Sequence, residues 1–409
     1  MSRIYLTVEN CFASKRWVTP RDWSKILSDM GISYVEASAD VELDPLHMEH
    51  TYLMRWEQQM RRATEEQGVQ VANFFTGHGT YVTSGLLHPD AGVRHRIRED
   101  WLGETARRAG RFGAGLGFFV HAVPQQDLAD PEAYHLRREE LLQELLLIAE
   151  QAGSVPELTN VSLEQMYSPH QPPWRIEETL KLMREVYRRS EGYPLYTTLD
   201  VGHAGPQRRF LLPEEDELRA AVDTLRESPD SLQTRALPYL GGAPILKRLR
   251  SLLRTGASTD RVVEELRPLM AEHEYLFASP VDADPYEWLE AVGPYAPVIH
   301  LQQTDGASSG HRPFTAEENS RGIIEPAKVL QALKRGFRKA AKEREAGSAG
   351  SRTIEDAPLP PSVDKVYLTL ELFFPTAAYP EEILRELRES VEAWREVVPQ
   401  DGLELEELV

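Results

Sequence analysis

Leu195-Tyr196-Thr197-Thr198-Leu199-Asp200-Val201-Gly202-His203 is an apolar, β-prone run that closes in a carboxylate and reaches a histidine three residues later. Gly202 permits the sharp turn that brings both side chains to one cavity. A simple Asp turn would explain the carboxylate but does not require the histidine. Three more short runs, Leu158 to Glu164, Pro297 to His300 and Val366 to Glu371, also end in residues able to hold a hard divalent cation. Successive parallel strands that each deliver one oxygen or imidazole at their C-terminal ends describe a metal site at the mouth of a β/α barrel.

Working outward, apolar runs near residues 3–9, 33–38, 69–75, 114–121, 158–164, 195–200, 297–303 and 365–371 alternate with amphipathic stretches. Eight is the number that closes an α/β fold of the (β/α)8 TIM barrel type. Thr19-Pro20 and Asp130-Pro131 fit an N-cap followed by proline in the first turn. Leu141, Leu145 and Ile148 form a buried stripe in a helix that stops at Gly153. Further helical patterns occupy 47–66, 90–109, 176–190, 326–345 and 379–397. Between Asp200 and His300 there is more chain than one crossover needs, and helical patterns recur near 213–227, 243–255 and 259–273. These predict a helical insertion between strands six and seven, at 206–282, lying over the barrel mouth of a single 1–409 domain. Residues 345–361, rich in Gly, Ser, Ala and Pro, read as a surface linker. The acidic stretch from Gln400 to Val409 reads as a solvated end.

With 41% hydrophobic and 27% charged residues among 409, the chain has the composition of a globular protein with a large core. A net charge of −19 leaves no global attraction for nucleic acid or anionic lipid. The single cysteine, Cys11, excludes an intrachain disulfide framework and a cysteine-rich metal site, so any metal must use oxygen and nitrogen ligands. No apolar targeting core or bilayer-length span is present, and a cytoplasmic location is the default expectation.

Each candidate residue has a plain structural alternative. Glu164 could be a solvent-exposed acid at a strand end, and a lone strand histidine such as His300 is more often a satisfied core residue. Glu371 is flanked by Leu370 and Leu372; an unpaired buried carboxylate is costly, so it needs a cation or a hydrogen-bonding network. Jointly, these residues and Asp200 end strands five to eight, which are neighbours around a barrel.

That order, Glu, Asp with His three positions on, His, then Glu, resembles the xylose isomerase-like TIM barrel superfamily, particularly sugar and sugar-phosphate isomerases/epimerases related to ketose 3-epimerases. The resemblance spans nearly the whole chain. It implies that Glu164, Asp200, His300 and Glu371 bind one divalent ion, Mn²⁺, Mg²⁺ or Co²⁺ with Zn²⁺ admissible, and that His203 contacts substrate. The long segment after His203 and the linker before Glu371 depart from the pattern.

A divalent ion chelating a ketose carbonyl and its neighbouring hydroxyl stabilises the enediolate formed on deprotonation. Glu164 and Glu371 are assigned to remove and return the proton as ligand and acid/base at once. Around them, Ser14, Lys15 and Arg16 could bind a substrate phosphate, with Phe12 and Trp17 against sugar carbons, or form an ordinary charged loop. Glu36, Asn73, His78, His121, Gln302 and Arg312 also fall at or just after strand ends, as substrate contacts or as support behind the ligands. The expected function is a metal-dependent isomerase or epimerase of a small sugar or sugar phosphate. Alternatives on the same scaffold are a polyol dehydratase and a non-catalytic sugar-binding barrel. Expected partners are small molecules, with neither nucleic acid nor membrane, and homo-oligomerisation is left open.

Overall fold

A computed structural model describes residues 2–39, 41–76, 83–228, 237–346 and 357–408. Eight parallel strands, β1 (Arg3–Glu9), β2 (Tyr34–Ser38), β3 (Gln70–Thr76), β4 (Gly115–Phe118), β5 (Val161–Glu164), β6 (Tyr196–Asp200), β7 (Val298–Leu301) and β8 (Lys365–Leu370), pair in sequence order. β8 pairs along β1 from Arg3↔Lys365 to Val8↔Leu370, and β1 pairs β2 at Val8↔Val35, which closes the barrel. The expected eight-stranded α/β barrel is therefore the observed one.

Strand chemistry explains the two faces. In β1, β5, β6 and β8 the apolar positions Leu6, Val8, Leu163, Leu199, Leu368 and Leu370 alternate with Thr7, Glu9, Glu164, Asp200, Thr369 and Glu371, and all are buried. Period-two alternation sends the first set out against the helices and the second into the barrel. The Ser162 and Thr198 hydroxyls meet there at 2.8 Å across β5 and β6. β4 contributes glycines instead: a Cβ on Gly115 would lie 2.5 Å from Asn73 Oδ1, and one on Gly117 2.7 Å from the Phe75 ring. Their absence of side chain leaves the interior room that those two neighbours occupy.

The outer helices follow their punctuation. Asp130 accepts from the Glu132 and Ala133 amides at 2.9 and 3.1 Å to start the helix Pro131–Gly153, and Thr19 accepts from the Asp22 amide to start Pro20–Asp29. Residues 90–109 are not one regular helix. A π-helical segment, Ile97–Gly103, separates Ala91–Arg96 from Glu104–Arg111. The insertion between β6 and β7 contains helices Glu215–Glu227, Ala243–Arg254 and Thr259–Glu272. It docks on the β4 and β5 side of the barrel: Tyr275 stacks on Tyr134 with centroids 3.9 Å apart and donates to the Leu128 carbonyl at 3.1 Å.

Two expectations about the C-terminal part are corrected or curtailed. The stretch expected as a solvated end packs in part on the barrel: Leu403–Glu404 pair antiparallel with Ile4 and Arg3 as β9 and Leu405 and Leu408 are buried, while Gln400 and Glu407 stay exposed. Of the linker expected at 345–361, Glu345 and Ala346 complete the helix Pro326–Ala346, and 347–356 lie outside the described residues. No helix among the described residues is long and apolar enough to cross a membrane.

Candidate metal centre and barrel mouth

Glu164, Asp200, His300 and Glu371 converge: one ligand atom from each lies within 4.8 Å of all the others, and all four residues are buried. Glu164 and Asp200 are the last residues of β5 and β6, His300 is the penultimate residue of β7, and Glu371 follows β8 directly. His300 Nδ1 is 3.2 Å from Glu164 Oε1 and 3.3 Å from Glu371 Oε2. Asp200 Oδ2 is 3.2 Å from His203 Nε2, whose Nδ1 sits 2.8 Å from the Gln165 carbonyl.

Three carboxylates and one imidazole in a space of this size are a donor set for a hard or borderline divalent cation. The electrostatics agree. Burial raises the Asp200 carboxyl above its usual range, opposed by His203 and reinforced by Glu371. Burial alone would lower the His300 imidazole, but Glu371, Glu36 and the hydrogen bond with Glu164 outweigh it and hold it well up. The protein thus concentrates buried negative charge that a cation would neutralise. Among the described residues, the ion pairs of Glu164 and Asp200 are with histidines. The residues present fit a divalent ion.

Several neighbours hold this arrangement. Gln165 Oε1 accepts from the Asp200 amide at 2.8 Å while its Nε2 donates to the Asp200 carbonyl at 3.2 Å. Gln302 Nε2 donates to both Asp200 oxygens, at 2.9 and 2.7 Å, and its Oε1 accepts from the His311 amide at 2.6 Å. His311 Nδ1 in turn lies 3.3 Å from Glu371 Oε2. Asn73 donates to Glu36 Oε1 at 2.6 Å, and Glu36 Oε2 is 2.9 Å from His300 Nε2. Asn73 and Gln302, expected to meet substrate, thus direct their amides at carboxylates of the site. Beside the centre Phe75, Phe119 and Met166 form a small apolar cluster with Tyr167 against it, distinct from the main core. Phe75 lies edge-on to His300 with centroids 5.0 Å apart, and Tyr167 is 4.8 Å from His203.

The remaining expected residues are more dispersed. Ser14, Lys15 and Arg16 border a cavity of about 310 Å³ with Phe12, Phe373 and Thr376. Arg16 Nη2 donates to the Pro375, Thr376 and Ala378 carbonyls at 2.9 to 3.0 Å, tying it to the loop after β8. His121 is buried against Gly85, stacked on Trp101 at 6.1 Å and edge-on to Phe119 at 4.5 Å, and burial lowers its pKa to about 3. Arg312 Nη2 lies 3.3 Å from Asp305 and its Nη1 3.6 Å from Glu318. His78 lies outside the described residues. A separate cavity of about 1390 Å³ between the insertion and the barrel is lined by Arg175, Leu211, Tyr239, Met270, Phe277 and Asp282 among others, and by none of the four clustered residues.

Sequence reading passed over Gln165, His311, Phe75, Phe119 and Met166. Gln165 was legible only as the neighbour of Glu164. His311 sits at φ 47 in a loop with no periodicity to place it.

No family model matches the sequence. A D-erythrulose 1-phosphate 3-epimerase from Brucella abortus (strain 2308) is 44% identical over 59 residues, which is 14% of this chain and 19% of that protein. The match thus spans about a fifth of the relative's length. A candidate xylose isomerase from Rhodospirillum rubrum ATCC 11170 superposes with a TM-score of 0.64 at 18% identity, over 96% of this chain and 99% of that one. D-psicose 3-epimerase from Clostridium cellulolyticum H10, solved with D-tagatose, gives 0.52 at 10% identity, over 96% and 98%. This chain thus shares its eight-stranded β/α barrel fold with that candidate xylose isomerase and with D-psicose 3-epimerase.

Proposed function

We propose that this chain is a divalent-metal-dependent isomerase or epimerase of a small sugar or sugar phosphate. The observation that carries the proposal is the buried convergence of Glu164, Asp200, His300 and Glu371 at the C-terminal ends of β5 to β8. The short match to an epimerase of a ketose phosphate and the shared fold support it.

The four residues are assigned to one Mn²⁺, Mg²⁺, Co²⁺ or Zn²⁺ ion. Bound there, the ion would polarise the carbonyl and adjacent hydroxyl of a ketose. Glu164 and Glu371 both approach the His300 imidazole at Nδ1, at 3.2 and 3.3 Å. One takes a proton from the carbon beside the carbonyl and the other returns one. Return to the opposite face of the same carbon inverts it, and return to the neighbouring carbon interconverts aldose and ketose. His203, held at Nδ1 by the Gln165 carbonyl, is assigned to turn Nε2, now beside Asp200, to a substrate hydroxyl. Tyr167, Phe75 and Phe119 exclude water from one side of the reacting carbons.

Ser14 and Lys15 are assigned to a substrate phosphate at the 310 Å³ cavity, with Arg16 shaping its far wall through the three carbonyls it holds. The insertion is assigned to one wall of the mouth. Its entry reaches the site, where Gln207 Nε2 donates to the Met166 carbonyl at 3.3 Å and Gly205 packs against Gly306. Chelation with EDTA is expected to abolish turnover of a ketose or ketose phosphate and Mn²⁺ to restore it. Full turnover by metal-stripped protein would refute the proposal.

A further inference from the structure

Glu36 is a charged side chain with no exposure at all, set between Val35 and Ala37 on β2, a strand separated from β7 by β8 and β1. Nothing in the strand requires a carboxylate there, and burying one is costly unless its oxygens are matched. Both are matched. Oε1 accepts from Asn73 Nδ2 at 2.6 Å, from the position directly opposite in register on β3, and Oε2 lies 2.9 Å from His300 Nε2. Glu36 is not one of the cluster of four and meets it at the far nitrogen of its histidine.

An imidazole that ligates a cation is neutral and carries one N–H, and the partner of that N–H decides which nitrogen keeps the lone pair. From this geometry we infer that Glu36 is a positioning residue for the metal centre. It accepts the Nε2 proton of His300, fixes the ring plane, and leaves Nδ1 as the nitrogen turned to Glu164 and Glu371. Asn73, by holding the other oxygen, keeps the carboxylate from rotating away. The inference rests on the metal centre proposed above but concerns residues outside it.

Glu36→Gln preserves shape. Asn73 can turn its amide over to suit the new side chain, so the fold is expected to survive while the charge behind the imidazole is lost. The test is titration of metal-stripped wild type and Glu36→Gln with Mn²⁺, with the visible absorption of the Co²⁺-loaded forms recorded beside it. The expected result is a roughly 10- to 100-fold weaker Mn²⁺ affinity, the range usual for losing such a partner, with altered Co²⁺ bands and an unchanged far-UV spectrum. A folded Glu36→Gln protein with Mn²⁺ affinity within about twofold of wild type and the same Co²⁺ bands would overturn the inference, since a merely structural role predicts that outcome. Should Glu36→Gln not fold, Asn73→Ala decides, because it keeps the charge but removes its donor. Weaker Mn²⁺ binding supports the positioning role and unchanged binding overturns it. Wild type that binds no Mn²⁺ would instead remove the metal centre itself, a failure distinguishable from the first.

Discussion

His121 gives a prediction whose size follows from its surroundings. Its ring is buried between Gly85, Trp101 and Phe119, and its pKa falls from 6.5 to about 3 because burial disfavours the imidazolium. Well above pH 6.5 the residue is neutral in both folded and unfolded chains and exerts no pH dependence. As pH drops below 6.5 the unfolded chain binds a proton that the folded one refuses until near pH 3, so stability falls through that window. The slope approaches about 1.4 kcal/mol per pH unit, and between pH 7 and pH 5 the accumulated loss is about 2 kcal/mol. His121→Asn removes the titration while keeping a residue type that accepts the left-handed backbone here, φ 69. Lost ring packing lowers stability by the same amount at every pH, so it cancels from the comparison. Urea unfolding of both proteins at pH 7, 6 and 5 is the assay. Wild type is expected to lose about 2 kcal/mol more than the variant across that range. Parallel stability curves would show that His121 protonates normally in the folded protein, and the reasoning from its burial would fail.

Four further outcomes are expected. Glu371→Gln should abolish turnover while leaving the circular dichroism of the fold intact; unchanged turnover would take Glu371 out of the proton-transfer role. Mn²⁺ at about one hundred times its Kd should stabilise the wild type by about 2.7 kcal/mol in chemical denaturation, and an unshifted midpoint would argue against a bound ion. Lys15→Ala should raise KM for a phosphorylated ketose while leaving that for its unphosphorylated counterpart unchanged, and equal effects on both would dissociate Lys15 from the phosphate. In Gly205→Ala the new Cβ would meet Gly306 Cα and carbonyl atoms at 2.7 to 2.8 Å, backbone that cannot swing aside. A loss of about 1–3 kcal/mol in urea unfolding is expected, and a neutral substitution would show that these two segments separate freely.

The eight strands were legible because a parallel strand is buried on both faces and reads as an apolar run, and each of the last four closes in a ligand type. β6 shows why: Thr197 and Leu199 need helices to cover them, so Asp200 can only face inward. Partnerships that depend on closure were not legible. Glu36 and His300 stand 264 residues apart and meet across the interior only once β8 has joined β1. The C-terminal β9 was hidden for a similar reason: Leu403, Leu405 and Leu408 alternate with acids in a stretch whose charge suggested solvent, and their partner is the first strand. The π-helical segment Ile97–Gly103 carries the apolar spacing of an ordinary helix and leaves no mark in the sequence. Surface geometry was equally silent at Arg16. A cation after β1 suggests an anion, whereas its Nη2 meets three backbone carbonyls of the loop after β8.

Metal-assisted proton transfer at carbon is the central claim, and its most direct test is proton NMR in D2O of the Mn²⁺-loaded protein, diluted to catalytic amounts, with a panel of ketoses and ketose phosphates. Deuterium is expected to enter the carbon beside the carbonyl of at least one panel member, to stop on adding EDTA, and to be lost in Glu371→Gln. Consumption of a panel member with loss of a hydroxyl would contradict the claim in favour of dehydration, and tight binding of a ketose without any exchange would contradict it in favour of a binding barrel.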